Sequence, residues 1–77
     1  MQYNAGGVSM SIFAERLTEL REARGIQRAV ASELCGFGSN AFRRYELEEM
    51  APSLSAAVTI ADFFGVSLDY LVGRSEK

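Results

Sequence analysis

The chain has 77 residues, of which 48% are hydrophobic and 23% charged, and its formal net charge is −2. This composition is typical of one small globular domain with a single core rather than of a disordered segment. The sequence contains no histidine, which argues against a hydrolase or a metal site, and one cysteine, which cannot form an intrachain disulfide. It has no apolar run of the ~18 residues that span a bilayer, which argues against a transmembrane protein. The lone Cys35 fits a reducing compartment, so we expect a cytoplasmic protein without cofactor or metal.

The net charge conceals an uneven distribution along the chain. Residues 1–45 contain six arginines and four glutamates, a balance of +2, whereas residues 46–77 contain two basic and six acidic residues, a balance of −4. The basic excess therefore falls in the first part of the chain. The negative total does not exclude a nucleic-acid partner.

The first predicted helix follows a short leader. Residues 1–10, "MQYNAGGVSM", lack the basic start and apolar stretch of a secretory signal, and we expect a flexible leader with Met10 as an alternative start. Ser11 is the expected cap of the helix and Gly25 its end. Helical spacing places three apolar residues on one face: Phe13, Leu17 and Leu20.

A second and a third helix are separated by a very short turn. The segment "RAVASELC" stops at Gly36, and Gly36-Phe37-Gly38 forms a turn into a helix over about residues 39–47. A connection of about three residues between two helices favours a helix-turn-helix. Ser32 is the small residue at the point where these helices are expected to cross.

The last two helices are delimited by serine caps and glycine stops. Ser53 is expected to cap a fourth helix that ends at Gly65, and Ser67 a fifth that ends at Gly73, after which residues 74–77 are expected to fray. The pattern therefore predicts an all-α domain of five short helices. The apolar positions of these two helices are Leu54, Ala57, Val58, Ile60, Ala61, Phe64, Leu68, Leu71 and Val72.

The adjacent Arg43 and Arg44 lie in the predicted third helix, within "GFGSNAFRRYELEEM". Taken alone, such a pair is explained either by an ordinary solvated face or by a surface that binds a polyanion. Glu46 is expected near the C-terminal end of the same helix, where a carboxylate opposes the helix dipole. We therefore expect a basic residue elsewhere in the domain to compensate its charge.

Three stretches, taken in order, resemble the Cro/C1 or XRE family of phage-repressor-type helix-turn-helix domains. They are "RLTELREARGI", "LCGFGSNAFRRYE" and "PSLSAAVTIADFFGVSLDYLVGR", and the likeness extends from about Phe13 to Arg74. The resemblance implies a compact five-helix, lambda-repressor-like domain over residues 11–73, between the leader at 1–10 and the tail at 74–77.

The resemblance also implies roles for individual residues. Arg28 takes the place of a glutamine that contacts a DNA phosphate, and an arginine there is expected to do the same. Arg21 and Glu46 match an ion pair between helix one and the end of helix three. Four residues match the base-reading positions of the recognition helix, at which Asn pairs with adenine and Arg with guanine: Ser39, Asn40, Arg43 and Arg44.

Other positions depart from the family pattern. Gly38 replaces the usual cap of helix three, so the cap is expected to weaken or to move to Ser39, and Gln27 replaces the usual cap of helix two. Glu48 stands where a turn glycine is common, and Glu48 and Glu49 are expected to repel the phosphate backbone unless they point away.

Several residues can be interpreted either as structural or as functional. We expect Tyr45 to pack in the core or at its rim rather than to stack on a base, and Cys35 to be a small buried residue rather than a redox sensor. Phe63, Leu68 and Tyr70 are predicted to form an apolar dimer or partner patch.

The resemblance implies a sequence-specific, non-enzymatic transcriptional regulator of bacterial, phage or mobile-element type, acting as a repressor. Its expected partners are double-stranded DNA, a second copy of the chain and a regulatory partner protein, and no membrane. Two copies would place their recognition helices about 34 Å apart on a pseudo-palindromic operator, in association with the nucleoid. The alternative is a protein-interaction module with the same fold and weakened DNA binding, which Glu48 and Glu49 favour.

Overall fold

The computed structural model describes residues 7–77, and within this range the chain forms five α-helices and no strand. This confirms the predicted all-α, five-helix fold. None of these helices is long and apolar enough to cross a lipid bilayer. The helices are α1 (Met10–Ala23), α2 (Arg28–Leu34), α3 (Ala41–Glu46), α4 (Leu54–Phe64) and α5 (Leu68–Leu71).

Helix α1 begins earlier than predicted, because Ser9 and not Ser11 is its cap. The Ser9 hydroxyl accepts a hydrogen bond from the backbone N–H of Ile12 at 3.2 Å, and the Ser9 N–H donates to the carbonyl of Val72 at 2.9 Å. Met10 packs against the core, which favours the earlier start. Residues 7–10, assigned to the leader from sequence, therefore belong to the folded domain, and the rest of that leader lies outside the described residues.

The core is formed where the five helices meet, and α2 contributes the fully buried Ala31. The ring of Phe13 packs edge-on against Tyr45 with centroids 5.7 Å apart, and Phe42 lies 6.3 Å from Phe64. Burial of each large apolar side chain contributes roughly 1.5–3 kcal/mol to folding. The large apolar side chains that are almost completely buried are Phe13, Leu17, Phe42, Ile60 and Leu71.

The predicted caps of the last two helices are confirmed. The Ser53 hydroxyl accepts from the N–H of Ala56 at 3.1 Å, and the Ser67 hydroxyl accepts from that of Tyr70 at 3.0 Å. Gly65 ends α4 with φ of 69°, in the left-handed region that a residue without Cβ adopts easily.

The C-terminal residues, expected to fray, make hydrogen bonds to the domain. The Arg16 guanidinium donates to the carbonyls of Tyr70 and Ser75, the latter at 2.8 Å. The Ser67 hydroxyl donates to the carbonyl of Lys77 at 2.7 Å. Arg16 was not identified from sequence as a contact for this segment, and its bond to Ser75 ties residues 74–77 to α1 while its bond to Tyr70 ties α5 to α1.

Candidate nucleic-acid interface

Helix α3 has one side in the core and one side open to solvent. Phe42 and Tyr45 are 0% and 5% exposed, whereas Arg43 and Arg44 are exposed. Neither guanidinium forms an ion pair with any residue in the range 7–77. An α-helix with its side chains is about 10–12 Å across, which matches the ~12 Å major groove of B-DNA. The two arginines are therefore available to an external polyanion.

Helix α3 is shorter than the predicted range 39–47. It begins at Ala41, so Ser39 and Asn40 lie in the turn before it, where both are exposed. Asn40 is the N-cap residue, but its side chain makes no capping hydrogen bond, and the cap has not moved to Ser39. The Asn40 amide therefore remains accessible at the N-terminal end of α3, beside the turn that follows α2.

A buried serine replaces the missing cap. Ser32 is fully buried, and its hydroxyl donates to the carbonyl of Arg28 at 2.8 Å and accepts from the N–H of Phe42 at 2.9 Å. One of the first N–H groups of α3, which a helix leaves without an internal partner, is thereby satisfied from α2. Ser32 thus fixes the start of α3 against α2.

Glu46 joins three helices through two arginines. Arg21 Nε donates to Glu46 Oε2 at 2.7 Å and Arg21 Nη2 to Oε1 at 3.1 Å, so the predicted ion pair is present. Arg28 Nε donates to the same Oε1 at 2.9 Å. Arg21 Nη1 donates to the carbonyl of Ile26 at 2.9 Å. The Glu46 side chain is 1% exposed, so its carboxylate lies inside the domain, whereas the side chain of Arg28 is partly exposed.

The charge on Glu46 is compensated by its partners. Burial favours the neutral carboxyl, but the hydrogen bonds from Arg21 and Arg28 and their positive charges outweigh burial, so the pKa of Glu46 lies below its ordinary value. The hydrogen bond to Glu46 in turn raises the pKa of Arg21. The expected compensation of the carboxylate at the end of α3 therefore comes from α1 and α2 together.

The contact between Arg28 and Glu46 was not predicted. Arg28 was expected to act alone on a phosphate, but its Nε is occupied by Glu46 while its side chain remains 41% exposed. Its Nη1 and Nη2 donate to no residue within the described chain. The only signal in the sequence is an arginine in place of the family's glutamine, and this substitution does not identify its partner.

The turn after α3 contains an unusual glutamate. Glu48 has φ of 60°, the only positive φ outside glycine among residues 7–77. Its N–H donates to the carbonyl of Tyr45 at 3.1 Å, and that of Glu49 donates to the carbonyl of Arg44 at 2.8 Å. This is the Schellman arrangement, in which glycine usually takes the left-handed position. Both acidic side chains are exposed beside the end of α3.

Tyr45 and Cys35 behave as structural residues. The Tyr45 ring packs edge-on against Phe13 and against Phe37, whose centroid lies 6.3 Å away, so it is not available to stack on a base. Cys35 is half-buried, and burial raises the pKa of its thiol, which disfavours the reactive thiolate.

Phe63, Leu68 and Tyr70, predicted to form an apolar dimer or partner patch, are each half-buried. The Arg24 guanidinium lies 4.9 Å from the centroid of the Phe63 ring, and that of Arg16 lies 4.1 Å from the Tyr70 ring. The side chains of Arg16 on α1 and of Arg24 at its C-cap thus lie over two members of the patch.

Leu68 instead lines an apolar groove of about 370 Å³ between the start of α1, the start of α4 and α5. Leu54, which also lines this groove, is 74% exposed. Sequence reasoning missed the groove because it assigned Val8 and Met10 to the leader. The apolar groove is lined mainly by Val8, Met10, Phe13, Leu54, Leu68 and Val72.

Comparison with known proteins places this geometry in a family. The helix-turn-helix family profile matches residues 17–71. The chain is 33% identical over 63 residues to the HTH-type transcriptional regulator AnsR of Bacillus subtilis, with 82% of this chain and 54% of AnsR covered. It is 29% identical over 65 residues to the cryptic phage CTXphi transcriptional repressor RstR of Vibrio cholerae, with 84% and 59% covered. The chain thus spans little more than half the length of these two relatives.

A solved structure shares the fold. The P22 c2 repressor, crystallised with a synthetic operator, superposes with a TM-score of 0.75 at 22% sequence identity, covering 82% of this chain and 96% of the repressor chain. At this identity the likeness is one of fold. The family profile covers most of the chain, including α2, the turn and α3. The chain belongs to the Cro/C1-type (XRE) helix-turn-helix family.

Proposed function

We propose that this chain is a sequence-specific DNA-binding transcriptional regulator that inserts α3 into the major groove. The observation that carries the proposal is the pair of exposed, unpaired guanidinium groups of Arg43 and Arg44 on a helix whose other side is fixed in the core. Arginine can donate two hydrogen bonds to guanine, and asparagine can pair with adenine, each such pair discriminating by roughly 1–3 kcal/mol. Arg43 and Arg44 read bases in this proposal, together with Asn40 and Ser39.

Repression is the simplest mode of action for such a domain. AnsR is a transcriptional regulator and RstR a phage repressor, and their similarity supports a regulatory rather than an enzymatic role for this chain. A domain bound at an operator that overlaps a promoter excludes RNA polymerase by occupying the same DNA. The protein would act in the cytoplasm, on the nucleoid.

Two copies acting together would supply the affinity that one domain lacks. A single α3 offers few base contacts, whereas a two-fold dimer presents two of these helices about 34 Å apart to a pseudo-palindromic operator. We place the dimer contact at the apolar groove, because Leu54 protrudes at its rim and can enter the groove of a second copy. Asp69 and Arg74 also line the groove, with Arg74 Nη1 3.4 Å from Asp69 Oδ1. In a two-fold dimer, Asp69 of each copy can therefore face Arg74 of the other.

The test of DNA reading uses a duplex selected from a random-sequence library by the wild-type protein. We expect the Arg43→Ala/Arg44→Ala variant to fold normally, since both side chains are exposed, and to lose binding. The matched Arg43→Lys/Arg44→Lys variant keeps both charges but not the planar guanidinium. It should keep salt-dependent binding to unrelated DNA while losing preference for the selected duplex. Wild-type binding that ignores both salt and sequence would contradict the proposal.

A protein-interaction module is the second candidate. The exposed Glu48 and Glu49 favour it, because their charges lie beside the end of α3, where they would repel a phosphate backbone. In such a module the Arg43→Ala/Arg44→Ala variant would keep both its partner and its biological effect. A DNA-binding regulator would lose its effect together with operator binding.

A further inference from the structure

Hydrogen bonds connect Arg28 to both ends of α3. Its carbonyl accepts the Ser32 hydroxyl, which in turn accepts the N–H of Phe42 near the start of α3. Its Nε donates to Glu46 Oε1 at the other end of α3, at 2.9 Å. Backbone and side chain of Arg28 are therefore both fixed relative to the helix that carries Arg43 and Arg44.

The carboxylate that holds Arg28 is itself held by a second arginine. The side chain of Glu46 is 1% exposed and receives two hydrogen bonds from Arg21, at 2.7 and 3.1 Å. Arg21 is held in turn by the carbonyl of Ile26. An arginine that is already oriented loses less side-chain freedom when it binds a partner than one that moves freely.

Only one edge of the Arg28 guanidinium is used inside the protein. Nε faces Glu46, whereas Nη1 and Nη2 have no partner among residues 7–77, and the side chain is 41% exposed. These two nitrogens remain free to donate to an anion outside the domain. A phosphate oxygen is the acceptor for which a charged, oriented guanidinium is well suited.

We propose that Glu46 is a positioning residue for DNA binding, which aims the free nitrogens of Arg28 at one backbone phosphate while α3 lies in the groove. The proposal rests on the DNA-binding function proposed above. In this proposal a buried acidic residue strengthens the binding of a polyanion. The effect is indirect, because Glu46 touches Arg28 and not the DNA.

The sign of this effect separates the proposal from simple electrostatics. Removing a negative charge from a DNA-binding surface ordinarily strengthens binding. Here Glu46→Gln should weaken it, since the neutral amide holds Arg28 less firmly than the carboxylate does. A decrease in affinity on loss of a negative charge is therefore the distinctive expectation.

The experiment is a double-mutant cycle on the duplex selected by the wild-type protein, measured by fluorescence anisotropy at two salt concentrations. We expect Arg28→Ala to weaken binding by about 10-fold, the effect of one charge-assisted hydrogen bond. Glu46→Gln should weaken it to a similar extent. The double variant should bind within about 2-fold of Arg28→Ala alone, because Glu46 then has nothing left to position. All three variants should show a salt slope smaller by about 0.9, the loss of one phosphate contact.

Circular dichroism must show that each variant is folded at the assay temperature. Arg28→Lys serves as an independent test if Glu46→Gln does not fold. It keeps the positive charge, but its ammonium group lacks the planar fork that gives Nε to Glu46 and leaves two oriented nitrogens for a phosphate. The proposal expects weaker binding by Arg28→Lys, whereas a requirement for charge alone predicts wild-type affinity.

Three outcomes overturn the proposal: tighter binding by Glu46→Gln, equal losses from Glu46→Gln with and without Arg28, or unchanged binding by Arg28→Lys. Equal losses would mean that Glu46 acts on the fold and not through Arg28. Failure of the proposed function looks different, because no duplex would then be selected, or the Arg43→Ala/Arg44→Ala variant would bind it as the wild type does.

Discussion

The hydroxyl of Ser32 on α2 accepts a hydrogen bond from the backbone N–H of Phe42 on α3 at 2.9 Å, and both residues are completely buried. This bond crosses the turn of the helix-turn-helix. It satisfies an N–H group that neither Ser39 nor Asn40 caps. The position of α3, and hence of its exposed arginines, therefore depends on a side chain outside that helix.

Ser32→Ala should destabilise the domain by about 1–3 kcal/mol, because it leaves a buried N–H group without an acceptor. Urea unfolding followed by circular dichroism measures this loss. Ser55→Ala, on the exposed surface of α4, is the control and should change the free energy of unfolding by less than about 0.5 kcal/mol. Equal effects of the two substitutions would show that the Ser32 bond contributes no net stability.

Glu46 should make the stability of the domain depend on pH. Its pKa is lowered in the folded state, so its contribution is fully present above the unfolded pKa of about 4.3 and is lost as pH falls through the folded value. Glu46→Gln should cost roughly 3 kcal/mol at pH 7, where it breaks a buried charge pair. The difference from wild type should shrink below about pH 4, as the wild-type carboxyl takes up its proton.

The pH series is measured by urea unfolding of both proteins. Glu33→Gln, which replaces an exposed carboxylate on α2, is the control and should track the wild type at every pH. A gap between wild type and Glu46→Gln that stays constant from pH 7 to about pH 3 would show that the ionised carboxylate contributes nothing beyond its shape.

Glu48 combines backbone strain with an unfavourable charge, and two substitutions separate them. Glu48→Gly should stabilise the domain by about 0.5–1 kcal/mol, since glycine adopts a φ of 60° without the penalty of a Cβ. Glu48→Ala keeps the strain and should not stabilise it. If this turn lies beside DNA, both variants should tighten binding equally, because both remove the same charge. Thermal unfolding and duplex titration report the two effects independently.

The helices could be predicted from sequence because their signals are local. Ser53 and Ser67 cap the helices they precede, and Gly65 ends α4 in the conformation expected of it. The first helix shows the limit of such reasoning. The cap was predicted at Ser11 but lies at Ser9, and the earlier start brings Met10 onto the core, a tertiary contact that the local pattern does not contain.

The site was only partly predictable because its contacts depend on how the helices cross. The Arg21–Glu46 pair came from resemblance to a family, whereas the second partner of Glu46 is an arginine that the family does not usually have. Similarly, Arg24 and Arg16 extend over Phe63 and Tyr70, which a count of apolar residues cannot reveal. Side chains long enough to reach another helix are those that the sequence places least reliably.

Leu54→Glu should prevent dimerisation through the apolar groove without unfolding the domain. Leu54 is 74% exposed, so its replacement costs little in the monomer, but a carboxylate cannot enter the apolar groove of a second copy without losing its hydration. Sedimentation equilibrium should give a weaker dimer for this variant than for wild type, and operator binding should require more protein.

Val58→Glu is the matched control, because Val58 is 40% exposed one turn further along α4 and does not line the groove. Equal dimerisation of all three proteins would exclude the groove as the contact, and the two copies would then have to meet through another surface or only on DNA.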